Sequence, residues 1–342
     1  MAKGMRILVI RNDRLGDFML AWPALALLRQ HMPEARITML VQSYTEPLAK
    51  VCPYLSGSIN DPKEDGEWRN TYSLGRLLKA EKFDVVITLF SRFDTGLAVW
   101  LAGIRERYAP ATKIAQLFYN RRVVQRRSRS EKSEYEYNLD LVRAFLKHLD
   151  INPSAAPMAP YLHFDDAEVR GLREAFCRRH AIPIDTKLVF MHAGHRGSSA
   201  HLSLGQYALL TKHLTSAQEH HVVLTVGPGE EQLISRLSSL MTAVPHSIHA
   251  SQDGLVSFAK HLQFSDVFIS GGTGPLHLAG ALNCRTAAFY PRRRSTSSLR
   301  WQTVNAADRR LAFTPTEDAG DDAMSSIDMT KAGEAISRRF LY

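Results

Sequence analysis

Cysteine is scarce in this chain: Cys52, Cys177 and Cys284 stand far apart, with no spacing that a metal would use. That excludes a disulfide-built scaffold and a structural zinc module, and it fits a reducing compartment. Long apolar runs are absent as well. No stretch approaches the roughly eighteen consecutive apolar residues of a membrane span. The opening residues, MAKGMRILVI, lack the apolar core and small-residue cleavage site of a secretory leader and run straight into a strand. A cytoplasmic location is the expectation. No internal repeat or low-complexity tract is found, and no Gly-Lys-Ser/Thr makes a Walker loop.

What the chain does have is length and positive charge. At 342 residues it is too long for one ordinary core, so two domains are expected. A net charge of +9 favours anionic partners, whether phosphates, an acidic membrane surface or nucleic acid. Strand-like runs alternate with helix-like ones. RILVI (6–10), RITMLVQ (36–42) and DVVITLF (84–90) are short, β-branched and without polar alternation, as parallel strands covered on both faces are. ALALLRQH and SLGRLLKAEKF read as the helices between them. INPSAAPMAPYLHF (151–164) then breaks the pattern with three prolines and reads as a linker. The alternation restarts with KLVFMHAG (187–194), HVVLTVGPGEE (221–231), DVFISGGTGPLHLAGALN (266–283) and RTAAFYP (285–291), and the tail closes on an amphipathic helix. The expected class is α/β: two Rossmann-like domains, residues 1–160 and 161–342, facing a central cleft.

In open α/β sheets ligands bind beyond the carboxyl ends of the strands, which ranks the loops. In ISGGTGPLHLAG the glycines permit a tight turn, Pro275 suits the first helical position, and the amides of Thr273 and Gly274 suit a phosphate. The same residues also describe a strand-to-helix turn that binds nothing. His277 is either a packing residue or a ligand contact. Glu230, after a glycine pair, either holds ribose hydroxyls or opens a helix as a solvated acid. HAGHRGSSAH (192–201) is a third glycine- and serine-rich loop. Residues 105–132 carry nine Lys/Arg against two Glu, with Tyr108, Phe118 and Tyr119 interleaved. Such a cluster grips phosphates or lies on an anionic membrane. The named nucleic-acid modules are missing, so nucleic acid is not an expected partner. Arg292, Arg293 and Arg294 follow the last strand of the second half. Behind the first strand, RNDRLGDFML crowds Arg11, Asp13, Arg14 and Asp17 together. Asp17 there is either a general base or an N-cap.

RILVIRNDRLGDFMLAWPALALLRQHMPEARITMLV resembles the opening of the ADP-heptose:lipopolysaccharide heptosyltransferases, glycosyltransferase family 9. HAG at His192, VGPGE at Val226 and ISGGTGPLHLAGALN at Ile269 fall in that family's order, so the resemblance runs from Met5 to about Trp301. It implies a GT-B fold and inverting transfer that needs neither a cofactor nor a bound metal. The partners it implies are a nucleotide sugar and an anionic lipopolysaccharide core or lipid A precursor, with the protein peripheral on the inner membrane. Asp17 matches the catalytic base. His192, Gly194, Glu230, Thr273, Gly274 and His277 match the donor side. Arg11, Asp13, Arg14, Arg121 and Arg122 are the expected acceptor contacts. Two positions depart from the family. Its Asp-Thr-Gly is Gly272-Thr273-Gly274 here, and Ala200 or His201 stands where a lysine is usual. Arg196, His201 or the Arg292–Arg294 run are the candidates to replace that lysine.

Overall fold

The protein is described from a computed structural model, which covers residues 4–62, 67–195, 200–215, 220–251 and 253–342. The chain divides into two compact units, Met1–Tyr161 and Leu162–Tyr342. The proline-rich segment 151–164 is irregular, and the boundary falls inside it.

The first unit opens with β1 (Arg6–Ile10), a one-turn α1 (Leu15–Met19) and α2 (Trp22–His31). Next come β2 (Arg36–Val41), α3 (Glu46–Lys50), β3 (Gly57–Asn60), α4 (Glu67–Ala80), β4 (Val85–Thr88) and α5 (Phe93–Leu101). It ends with β5 (Glu106–Pro110), β6 (Arg121–Val123) and α6 (Glu134–His148). All strand pairs are parallel, in the order β3-β2-β1-β4-β5-β6. Alternate residues of β1 point to opposite faces. Leu8 and Ile10 meet Leu74 and Leu78 of α4 and Ala98 and Val99 of α5. Helices α2 and α6 pack on each other, and the Phe145 ring of α6 stands edge-on to Tyr108 of β5.

The second unit begins with α7 (Asp166–Arg179), which the Asp165 side chain caps. It continues through β7 (Lys187–His192), α8 (Leu204–Thr215), β8 (His220–Val226), α9 (Glu231–Leu240), β9 (His246–Ala250) and α10 (Gly254–Gln263). Then follow β10 (Val267–Gly271), α11 (Gly274–Ala281), β11 (Thr286–Phe289), β12 (Arg310–Phe313) and α12 (Met329–Ile336). Its sheet, β12-β11-β10-β7-β8-β9, repeats the connectivity of the first: the opening strand of each unit lies beside the fourth. The strand order reverses at that place, so the loops after β1 and β4, and after β7 and β10, are the natural ligand positions.

The structure contains more than the strands legible from the sequence. β3, β5, β6, β9 and β12 are short and mostly at sheet edges, and their residues (GSIN, ERYAP, RRV, HSIHA, RLAF) do not form buried β-branched runs. The basic stretch 105–132 is thus partly sheet.

On one side of the second sheet, Phe176 of α7 meets His180 just after that helix, His249 of β9, His261 of α10 and Phe264. The His249 and His261 rings stack at 4.3 Å. Burial, with His261, His180 and Arg179 nearby, pushes His249 down from 6.5 to about 4. Burial, with His180 and His246 beside it, pushes His221 down to about 4. Between pH 6.5 and 4 the unfolded chain therefore binds more protons than the folded one, and stability falls as the pH falls through that window. Urea midpoints measured from pH 7.5 downward are expected to decline below 6.5, and a His221→Gln/His249→Gln variant to flatten that decline.

Candidate functional site

Arg11 leaves the carboxyl end of β1 and turns inward, with only 2% of its surface exposed. An isolated charge at that depth is unstable, so it gathers partners. Its Nε donates to Asp13 Oδ1 at 3.0 Å and its Nη1 to Glu134 Oε1 at 2.9 Å. Nη1 also reaches Asn138 Oδ1 at 3.3 Å, and Nη2 donates to Asp17 Oδ1. The guanidinium faces the Phe90 ring at 5.6 Å. Burial lowers the Arg11 pKa, but Asp13, Asp17 and Glu134 outweigh it and raise the pKa above its ordinary value. Burial pushes Asp13 up to about 6, with Arg11 opposing and Asp17 adding to the rise.

Helix α6 supplies the far wall. A capping box, in which Ser133 and Glu136 satisfy each other's backbone groups, starts it. Glu134 in its first turn accepts on Oε1 from both Arg11 Nη1 and Arg127 Nη1, the latter at 2.8 Å. Asn138, one turn on, donates to the Leu20 carbonyl at 3.0 Å and so ties α6 to the segment between α1 and α2. Asn12 donates to Asp61 at 2.7 Å while Gln42 bonds the Asn12 carbonyl. The loop is therefore held from three directions.

Asp17 is not an N-cap. The cap of α1 is Arg14, Asp17 lies in the first turn, and the cap of α2 is Ala21. Asp17 spends one oxygen on Arg11, and 16% of its side chain stays exposed. Arg14 is exposed. Arg121 stands apart in β6, bonded to Glu106 at 2.7 Å and near His148 at 3.0 Å, and Arg122 is exposed beside it. The basic residue that joins the Arg11 cluster is Arg127. Glu134, Asn138 and Arg127 do not stand out in the sequence; the capping box Ser-x-x-Glu at Ser133 is the one local signal nearby.

In the second unit β7 and β10 deliver the groups. His192 ends β7, with Nδ1 3.1 Å from Thr225 Oγ1 of β8 and Nε2 3.7 Å from Glu230 Oε2. Glu230 caps α9 but is buried, not solvated, and its Oε2 accepts the Gly227 amide at 2.8 Å. Gly229 turns the chain there with φ +80, which a glycine adopts without strain. Gly194 is a glycine for a spatial reason: a Cβ there would lie 2.1 Å from Glu230 Oε1. After β10, Ser270 and Thr273 hydroxyls meet at 2.9 Å and Thr273 caps α11. The Thr273 amide is not free for a phosphate, because it donates to the Gly271 carbonyl at 2.8 Å. Gly274 opens the helix and Pro275 is its second residue. His277, one turn in, is buried, its Nδ1 has no hydrogen-bond partner among the described residues, and burial holds it down at about 4. It is a neutral imidazole at physiological pH.

The positions that depart from the family have local explanations. A Cβ at Gly272 would approach the Tyr290 ring at 3.2 Å, and Tyr290 is anchored through its hydroxyl to the Trp301 carbonyl at 3.0 Å. Ala200 packs against the apolar core. His201 stacks on His195 at 3.7 Å, and burial with His201 beside it lowers His195. Arg292 bonds the Thr316 carbonyl at 2.8 Å and Arg293 pairs with Asp322. Arg196 lies outside the described residues, as do 197–199 of the same loop.

Removing Glu134 leaves two arginines facing each other with one anion fewer. Glu134→Ala is expected to cost about 3–5 kcal/mol in urea denaturation, as the loss of a buried ionic partner does. Arg121→Ala, on an exposed pair, is expected to leave the midpoint where it is.

Residues 71–320 match the family model for glycosyltransferase family 9 (heptosyltransferase). A Haemophilus influenzae protein provisionally named a glycosyltransferase is 42% identical over 337 residues, covering 98% of this chain and 96% of its own. Among solved structures, a glycosyl transferase family 9 protein from Veillonella parvula superposes with a TM-score of 0.83 at 16% identity, covering 99% and 98% of the two chains. The Escherichia coli ADP-heptose lipopolysaccharide heptosyltransferase II gives 0.78 at 18% identity, covering 98% and 99%. Two parallel six-stranded sheets of this connectivity are the GT-B architecture of those structures. The chain belongs to glycosyltransferase family 9, the heptosyltransferase family.

Proposed function

We propose that this glycosyltransferase moves a heptose, or a related sugar, from a nucleotide diphosphate sugar such as ADP-heptose to a lipopolysaccharide core acceptor. The reading places the work at the cytoplasmic face of the inner membrane. The observation that carries it is Asp17: a partly exposed carboxylate in the loop after β1, oriented by a buried arginine through one oxygen. In this role Asp17 takes the proton of an acceptor hydroxyl. The hydroxyl oxygen forms a bond to the anomeric carbon, the bond from that carbon to the diphosphate breaks, and the nucleoside diphosphate leaves with the electron pair. Attack from the face opposite the leaving group inverts the configuration, and no metal enters the scheme.

On the donor side, Glu230 suits the ribose. Its Oε2 is engaged by the Gly227 amide, and its carboxylate lies against Gly194 where a Cβ would otherwise stand. The opening of α11 at Gly274 suits the diphosphate through helix amides and the positive helix end. A neutral His277 donates or accepts a hydrogen bond without adding charge. Arg11, Asp13 and Arg14 act on the acceptor in this scheme by fixing the Asp17 loop; Arg121 and Arg122 contact it as surface cations.

Asp17→Asn keeps the size of the side chain and removes its basicity. It is expected to lower turnover about a thousandfold, as loss of a general base does, with nucleotide affinity unchanged. Unchanged turnover would sink the assignment. Gly194→Ala pushes Glu230 off its position, so calorimetry is expected to show weaker ADP binding by a chain whose melting curve is close to native.

A second reading differs in the donor. Gly272 backs onto Tyr290 and Ala200 onto the apolar core, so neither offers a polar group to a diphosphate. A panel of nucleotide sugars, scored by nucleoside diphosphate release with a defined core acceptor, separates the two. Turnover with ADP-heptose alone supports the first reading, and turnover with another donor the second.

A further inference from the structure

Two loops stand where the first sheet reverses its strand order. The one after β1 holds the Asp17 cluster, and the one after β4 walls a cavity. The two are neighbours: the Leu89 amide, just past β4, donates to the Ile10 carbonyl at 3.0 Å. The Phe90 ring faces Arg11 at 5.6 Å and Lys113 at 5.6 Å. Lys113 in turn lines a cavity of 290 Å³, together with Ser91 and Arg92 of the β4 loop, Phe93 and Asp94 of α5, and Trp68 of α4. Small-molecule sites run from roughly 300 to 1,000 Å³, so this one has room for a single ring and not for an extended chain.

The wall is incomplete as it stands. Ser91 is 3% exposed, and its Oγ has no hydrogen-bond partner among the described residues. A buried hydroxyl left unpaired costs free energy, and the cavity is where a partner can arrive. Arg92 donates through Nε to Asp94 Oδ1 at 3.1 Å and through Nη2 to Oδ2 at 2.6 Å. A guanidinium has five N–H groups, so that pair leaves Arg92 with donors to offer. Trp68 is 73% exposed and Phe93 46%, two aromatic side chains standing in water at one cavity. Lys113 holds φ +55 with ψ 178, which suits glycine and strains a residue with a side chain. Such strain gathers at ligand clamps.

The chemistry of the wall separates the occupants. A hydrocarbon would cover Trp68 and Phe93 but leave Ser91 unpaired and strip water from the Arg92–Asp94 pair. An anion would meet Lys113, but Asp94 stands in the same wall, and Asp61, Glu64, Asp65 and Glu67 precede Trp68 in the chain. A sugar ring answers every group. Its C–H face lies against an aromatic ring, and its hydroxyls both donate and accept, as Ser91, Arg92 and Asp94 require. We infer that this cavity is a subsite for a neutral sugar ring of the acceptor, separate from the ring whose hydroxyl meets Asp17. The acceptor is then an oligosaccharide, held partly by a ring remote from the reacting hydroxyl. The inference rests on the transferase reading for calling that saccharide the acceptor.

The test titrates the full chain, without donor, with a lipid-free core oligosaccharide and with the methyl glycoside of its accepting sugar alone. The oligosaccharide is expected to bind more tightly and to change tryptophan emission, since Trp68 is one of four tryptophans. Trp68→Ala is expected to abolish that change and to weaken the calorimetric Kd about tenfold. Ser91→Ala is expected to weaken it about fivefold, one hydrogen bond's worth, and to melt no lower than the parent because the hydroxyl it removes is unpaired. With a donor that is turned over, kcat/KM for the oligosaccharide relative to the methyl glycoside is expected to fall by the same factors, the loss lying in KM. Equal affinity of the parent for the two probes, or no binding of either, overturns the inference. So does parental oligosaccharide affinity in both variants, even where transfer proceeds. ADP reversing the Trp68 signal also overturns it and gives the cavity to a nucleotide. If the Trp68 signal and its loss are found while no donor is turned over, the sugar subsite stands and the transferase reading falls.

Discussion

A guanidinium almost wholly removed from water must be answered by negative charge, and at Arg11 that requirement organises the first unit. Asp13 and Asp17 come from the loop immediately after β1, whereas Glu134 and Asn138 come from α6. The three carboxylates repel one another and would spread apart without the cation. With it they share one centre, and Asp17 is held in place while its side chain stays partly exposed. The ion cluster is a poor source of net stability, since the dehydration of four charged groups offsets most of the attraction. What it does provide is orientation, which is what a proton-accepting carboxylate needs.

The two units solve the same topological problem with different chemistry. Both use a sheet whose first and fourth strands are neighbours, and in both the distinctive residues follow those strands. The first unit fills that place with ions. The second fills it with glycines, hydroxyls, a buried glutamate and an uncharged histidine. Glycine at 194 exists because Glu230 folds over it, so the two positions are one spatial decision.

How much of this can be read from residues alone follows from where each signal is stored. β1, β2, β4, β7, β8, β10 and β11 are legible as short apolar runs, because a strand covered on both faces must be apolar throughout. RRV and HSIHA carry no such mark; they are strands because a neighbour offers them an open edge. LGDFM is a helix one turn long, too short for periodicity to register. Asp17 is conspicuous in a charged loop, yet setting aside the cap reading needs the observation that Arg14 occupies the cap. Glu134 looks like an ordinary acid in a helix's first turn, favoured there by the helix dipole. Its partner is 123 positions away, and no local pattern records that. Likewise the Thr273 amide looks available in the sequence, and only the turn geometry commits it to Gly271.

The distance between Arg11 and Glu134 also has a meaning in time. A chain made from its N-terminus exposes β1 and its loop early, while Glu134 and Asn138 emerge after every strand of that sheet has been made. Until then Arg11 has only Asp13 and Asp17 to pair with and no wall to be buried against. Domains generally fold as units during synthesis. Here the final helix of the unit is the latch, so the Asp17 carboxylate acquires its place only when the N-terminal half is complete. A nascent or truncated chain ending before α6 would carry the loop without its geometry.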